Sequence, residues 1–211
     1  YRHASQLARD IICVTISSAL SSVNSVAQQT ATQFMQENPD FKIKVIDSQT
    51  ATTGEGFIAL EAARVATAGK DLSQVVKVAE TIRDKVTVYA FLDTISHVYR
   101  SGRIPKIASQ FGSMLNIRPI LTVSGKVHFK VAVRSRQKGI QKMLEMMHDE
   151  VKDKPVHAAV MHAYALDEAE RLRERIASEF NCTELWLTEF SPVMGYACGT
   201  GTVGVAFYPE G

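Results

Sequence analysis

VTISSALSSVNS, residues 14–25, is the stretch on which the reading of this chain turns. Ile11, Ile12, Val14 and Ile16 form a short apolar run, serines follow at 17, 18, 21, 22 and 25, and a helical pattern comes after them. A buried strand running into the start of a helix has this pattern. The first turn of a helix has backbone N–H groups without partners and carries the positive end of the macrodipole, so it favours a carboxylate or phosphate. Ser17 and Ser18 would add hydroxyl donors there. A plain N-cap serine accounts for part of the same pattern, although Ser21 and Ser22 bring more hydroxyls than a cap requires.

Downstream, Val23, Val26, Ala27, Thr30 and Phe34 fall on one helical face that Asn38-Pro39 ends. KIKVI at 42–46 reads as a strand, closed by Asp47-Ser48. A small-residue loop, ATTGEG at 51–56, leads into a helix through about Ala68, and a second helix carries Leu72, Val75, Val76, Ala79 and Ile82. The order strand, helix, strand, helix, helix predicts a parallel, doubly wound sheet with crossover helices. In such sheets ligands sit beyond the carboxyl ends of the strands, where both Ser17-Ser18 and Asp47-Ser48 lie.

Beyond a boundary near residues 84–86 the pattern changes, giving domains at 1–84 and 85–211. TVYAFL at 87–92 reads as a strand, followed by a helical turn, a basic loop at 100–103 and a helix at about 105–115. Strands at 119–123 and 127–133 form an antiparallel hairpin around Ser124-Gly125. Helices marked by Ile140, Met143, Leu144, Met147 and Val151 and by Ala169, Leu172, Ile176 and Phe180 mix with strands at 156–161, 184–190 and 203–207. The second domain is therefore mixed α+β.

Of the 211 residues, 45% are hydrophobic and 22% charged, and the net charge is +2, so no overall field argues for nucleic acid. Cys13, Cys182 and Cys198 make an odd number with no C-x-x-C spacing, which speaks against a disulfide framework or structural zinc and fits a cytoplasmic protein. No apolar run reaches the roughly 18–20 residues of a membrane span, so stable membrane insertion is not expected. YRHASQLARD at the start reads as the tail of a helix entering a strand, so further N-terminal sequence is expected before Tyr1.

No catalytic set stands out. G-x-S-x-G is absent, and the histidines at 3, 97, 128, 148, 157 and 162 show no metal-ligand spacing. His162, at a strand end, is either a cleft residue or a polar core residue. Arg100 and Arg103 flank Gly102 as a pair of cations suited to an anionic headgroup or a phosphorylated partner, or as a solvated basic turn. The loop at 195–201 lacks the Lys-Ser/Thr of a P-loop, and Cys198 has no neighbouring cation to favour its thiolate. A phosphotransferase or acyl-transfer enzyme using the serine turn would need a base or metal near Ser17, which the sequence does not offer. A binding module for another small organic acid is a further reading.

These segments together resemble the DegV family of bacterial fatty-acid-binding proteins. ISSALSS at 16–22 is similar to the family's ISSxLSG, VIDSQTATTGEG at 45–56 to its VIDS loop, and LDTISHVYRSGRI at 92–104 to its LDT…RGGRI. SMLNIRPILTV at 113–123 and SPVMGYACGTGTVGVAFYP at 191–209 match its LLNIKPILT and its closing GPVIG…GPGxxGVAFYP. The resemblance implies an EDD fold: two α/β domains, the first incomplete here, with a long-chain fatty acid in a tunnel between them. It implies that the carboxylate lies at Ser17 and Ser18, with Arg100 near the headgroup and Arg103 on the docking surface of a separate ATP-dependent fatty acid kinase. The resemblance further implies that this kinase makes the acyl phosphate and that no catalytic residues, metal or cofactor are expected in the protein itself. The chain departs from the family in lacking the upstream TSQPS segment. It also has Ala197 at a usual histidine, Ser22 at a usual glycine, and Ser101 for the first glycine of RGGR.

Overall fold

β1 (Asp10–Thr15) and β2 (Lys42–Asp47) pair in parallel, from Asp10 opposite Lys42 to Thr15 opposite Asp47. They belong to the first of two compact units, Tyr1–Val86 and Thr87–Gly211. A computed structural model describes residues 1–103 and 118–211; the helix expected at 105–115 lies outside the described residues.

Side chains alternate across a strand, so Ile11, Ile43 and Val45 share a face. On that face pack Ala31, Phe34 and Met35 of α1 (Val23–Glu37), the crossover between the strands. Val23 and Val26 are exposed. The buried side of α1 is thus set by Asn24 and Ala31 rather than by the apolar residues at its start. α2 (Thr53–Thr67) and α3 (Leu72–Lys85) pack on each other and on β1, burying Phe57, Ile58 and Ala62 against Val75, Ala79 and Ile82. A reciprocal capping box opens α3: Asp71 accepts the Gln74 N–H at 2.9 Å, and Gln74 accepts the Asp71 N–H at 3.3 Å.

The second unit is built on a six-stranded sheet. It comprises β3 (Thr87–Phe91), β4 (Arg118–Ser124), β5 (Lys126–Val133), β6 (Val156–His162), β7 (Cys182–Glu189) and β8 (Val203–Pro209), in the order β5-β4-β3-β8-β6-β7. Only the β6–β7 pairing is parallel. Among the described residues its helices are α4 (Ser96–Arg100), α5 (Arg136–Val151), α6 (Leu166–Glu179) and α7 (Pro192–Cys198). α5 buries Ile140, Met143, Leu144, Met147 and Val151, a 3.6-residue stripe, into one core with Leu172 and Ile176 of α6. Both sheets, one parallel and one mixed, agree with the α/β class.

One local expectation changes. The glycine-rich stretch at 195–201 is helical as far as Cys198, because Ser191 accepts the Met194 N–H at 3.4 Å and Pro192 occupies the first helical turn. Only residues beyond Cys198 form the loop. Among the described residues, no helix is long and apolar enough to cross a membrane.

Candidate functional site

The parallel pairing of β1 and β2 brings two loops side by side beyond Thr15 and Asp47. Asp47 Oδ1 accepts the N–H of Ser18 at 3.1 Å and of Gln49 at 3.0 Å. The Ser17 N–H donates to the Thr50 carbonyl at 2.9 Å, and the Ser48 N–H to the Thr15 carbonyl at 3.0 Å. Ser48 Oγ in turn donates to the Thr50 carbonyl at 3.1 Å and accepts the Thr50 N–H at 3.2 Å. Beneath the loops, Asn24 reaches back from α1 to the Thr15 hydroxyl at 2.9 Å. Ser17, Ser48 and Thr50 are buried, whereas Ser18 is exposed.

This geometry alters the expected role of the serines. The Leu20 and Ser21 N–H groups bond the Ser17 carbonyl in a separate turn, and α1 begins only at Val23, after Ser22. Ser17 and Ser18 therefore precede the helix instead of forming its first turn, and the macrodipole is centred further along. Ser17 Oγ accepts the Ala19 N–H at 3.3 Å, and the Ser18 N–H is committed to Asp47. The turn can still offer the exposed Ser18 hydroxyl to an acceptor.

Arg100 belongs to the second unit. It lines a cleft of about 560 Å³ with His97, Tyr164, Glu189, Tyr196 and Thr200 among its neighbours. That volume is within the range of small-molecule sites. The Arg100 Nε–H donates to the Ser96 carbonyl at 3.3 Å, and Arg103 donates to the Ser101 carbonyl at 2.6 Å. Neither makes an ion pair among the described residues. Arg103 lies on the exposed loop beyond α4 and does not line the cleft.

Sequence reasoning passed over His97. His97 and Arg100 stand three apart on α4, a spacing that puts both on one face, and both line the cleft. The His97 ring lies against Gly199, at φ +88°, where any β-carbon would collide with it. His162 ends β6 as a buried residue, its Nδ1 3.5 Å from the Ala165 N–H, which is the core role and not the cleft role. Burial pushes the Cys198 thiol up to about 11, so it is no ready nucleophile.

A family model described as an uncharacterised protein of the DegV family matches residues 1–210. A DegV domain-containing protein of Clostridium perfringens is 34% identical over 203 residues, 95% of this chain and 71% of that protein. Among solved structures, a DegV family protein from Thermus thermophilus, described for its fatty acid binding, superposes with a TM-score of 0.91 at 26% identity. The match covers 100% of this chain and 74% of that one. DegV of Bacillus subtilis, described as a fatty acid binding protein, gives 0.85 at 25% identity, over 100% of this chain and 74% of that one.

Proposed function

This chain belongs to the DegV family, and from that premise we propose that it binds a long-chain fatty acid and presents it to a separate ATP-dependent fatty acid kinase. The observation that carries the reading is the likeness to the Thermus thermophilus protein across the whole of this chain. We assign the carboxylate to the turn at Ser17 and Ser18, with the Ser18 hydroxyl as donor and buried Ser17 shaping the turn. Arg100 contributes a second ligand contact, and Arg103 faces the kinase.

Physical chemistry supports a division of labour between tail and headgroup. Each buried CH₂ of an acyl chain is worth about 0.8 kcal/mol, so the tail supplies affinity while a few polar groups fix orientation. A carboxylate held ionised by hydrogen bonds is the nucleophile that an ATP-dependent kinase requires. The three cysteines are free thiols, in keeping with a cytoplasmic location.

Native mass spectrometry of the protein purified from a bacterial host tests the binding. Co-purified long-chain fatty acid is expected, with oleate or palmitate re-bound after delipidation. Failure to bind either would overturn the reading. The partner role predicts that Arg103→Ala retains oleate yet that the kinase converts its bound oleate to acyl phosphate poorly. Equal rates of acyl phosphate formation on oleate bound to the two proteins would remove Arg103 from the interface.

A further inference from the structure

Arg136, the first residue of α5, reaches three separate parts of the second unit. Its Nη1 donates to Asp93 Oδ1 at 2.5 Å and its Nε to Glu168 Oε2 at 2.5 Å, while its Nη2 donates to the Gly201 carbonyl. The guanidinium carbon also lies 5.7 Å from the centre of the Phe91 ring. Arg118 completes the cluster, its Nε donating to Asp93 at 3.1 Å. With two arginines against two carboxylates, the cluster is neutral. Burial works against the charge of Arg136, but the hydrogen bonds and fields of Glu168 and Asp93 outweigh it and raise its pKa.

The residues Arg136 holds lead directly to segments that line the cleft. Asp93 lies just ahead of α4, which carries His97 and Arg100. Gly201 ends the short loop whose Gly199 and Thr200 also line the cleft. Gly201 sits at φ +82° with the Asp93 carboxylate where a β-carbon would be, and its N–H donates to the Ala163 carbonyl at 2.8 Å. We infer that Arg136 is a positioning residue for the cleft, bonding the Gly201 carbonyl and Asp93 at once and so fixing the glycine loop and α4 relative to each other. Guanidinium is suited to this task because its planar fork presents several donors in fixed directions. An ammonium at the same place would be a point charge without that geometry.

The inference is tested by amide hydrogen exchange together with oleate dissociation in the full-length protein, comparing Arg136→Gln, Arg136→Lys and Asp93→Asn. Arg136→Gln is expected to speed exchange at the Gly199, Gly201 and Ser101 amides by roughly tenfold, as loss of a charge-assisted bond implies. The Leu144 and Val160 amides in the core should keep their rates, and Arg136→Lys should restore part of the protection. Oleate should dissociate faster in the same order, and Asp93→Asn should loosen the same amides. Acceleration spread evenly over the unit would make Arg136 an ordinary stabilising residue, and no acceleration at those amides would overturn the inference outright. The oleate arm rests on the fatty-acid reading. If the unaltered protein takes up no oleate, that reading falls, and the exchange pattern alone decides the positioning role.

Discussion

The Asp47 carboxylate occupies the Ser18 N–H, 3.1 Å away. A protein side chain thus takes the backbone donor that an anionic ligand at the serine turn would otherwise use, and adds a like charge beside it. Asp47→Asn keeps an acceptor for the turn and removes the charge. It is expected to bind oleate more tightly, by on the order of threefold, the size of an exposed charge effect. Isothermal titration at low and high salt measures this, and the gain should shrink as salt rises.

Ser17 and Ser18 differ in burial, which separates ligand effects from stability. Ser18→Ala removes an exposed hydroxyl and should weaken oleate binding while leaving the melting temperature nearly unchanged. Ser17→Ala removes a buried hydroxyl that accepts the Ala19 N–H and should cost about 1 kcal/mol of stability. Chemical denaturation alongside titration distinguishes the two. Full retention of oleate by Ser18→Ala would exclude its hydroxyl as a contact.

Gly199 combines a backbone that other residues rarely adopt with a ring at van der Waals contact. Gly199→Ala both strains the chain and displaces His97, and a loss of about 1–3 kcal/mol is expected. In the ring NMR spectrum the His97 signals should shift. Unchanged signals would mean that the ring does not rest on this glycine.

The Cys198 thiol, held up to about 11 by burial, is deprotonated in roughly one molecule in a thousand at pH 8. Iodoacetamide should therefore modify it slowly at pH 8 and much faster above pH 10. Peptide mass spectrometry across that range reads the rate at this residue, and rapid labelling at pH 8 would contradict the burial.

Burial also raises the Glu55 carboxyl above its usual range. A raised native pKa means the folded state holds this proton more tightly than the unfolded chain. Its stabilising contribution is complete at acid pH and is lost as pH rises through the native pKa. Glu55→Gln should consequently melt higher than the unaltered protein at pH 8, with the difference vanishing near pH 4. Calorimetry at the two values checks the sign.

Much of this molecule follows from local chemistry. β1, β2 and the α5 stripe of Ile140, Met143, Leu144, Met147 and Val151 follow from hydrophobic periods of two and 3.6, which each segment carries within itself. The turn at residues 16–22 and the basic loop at 100–103 stand out in the sequence because they cluster hydroxyls or charges. Contacts between distant segments carry no such period. Nothing near Ser18 announces that its N–H belongs to Asp47, 29 residues away, and nothing near Gly199 announces the His97 ring. Arg136 reads as one more charge at a helix start until the strands bring Asp93, 43 residues before it, and Gly201, 65 residues after it, within reach of one guanidinium. Sequence by itself determined most of the described strands and helices, though not the helix at Pro192–Cys198, and which turns carry polar groups. Tertiary structure alone decided which of those groups are already spent on one another, because hydrogen bonds are allotted by distance in space.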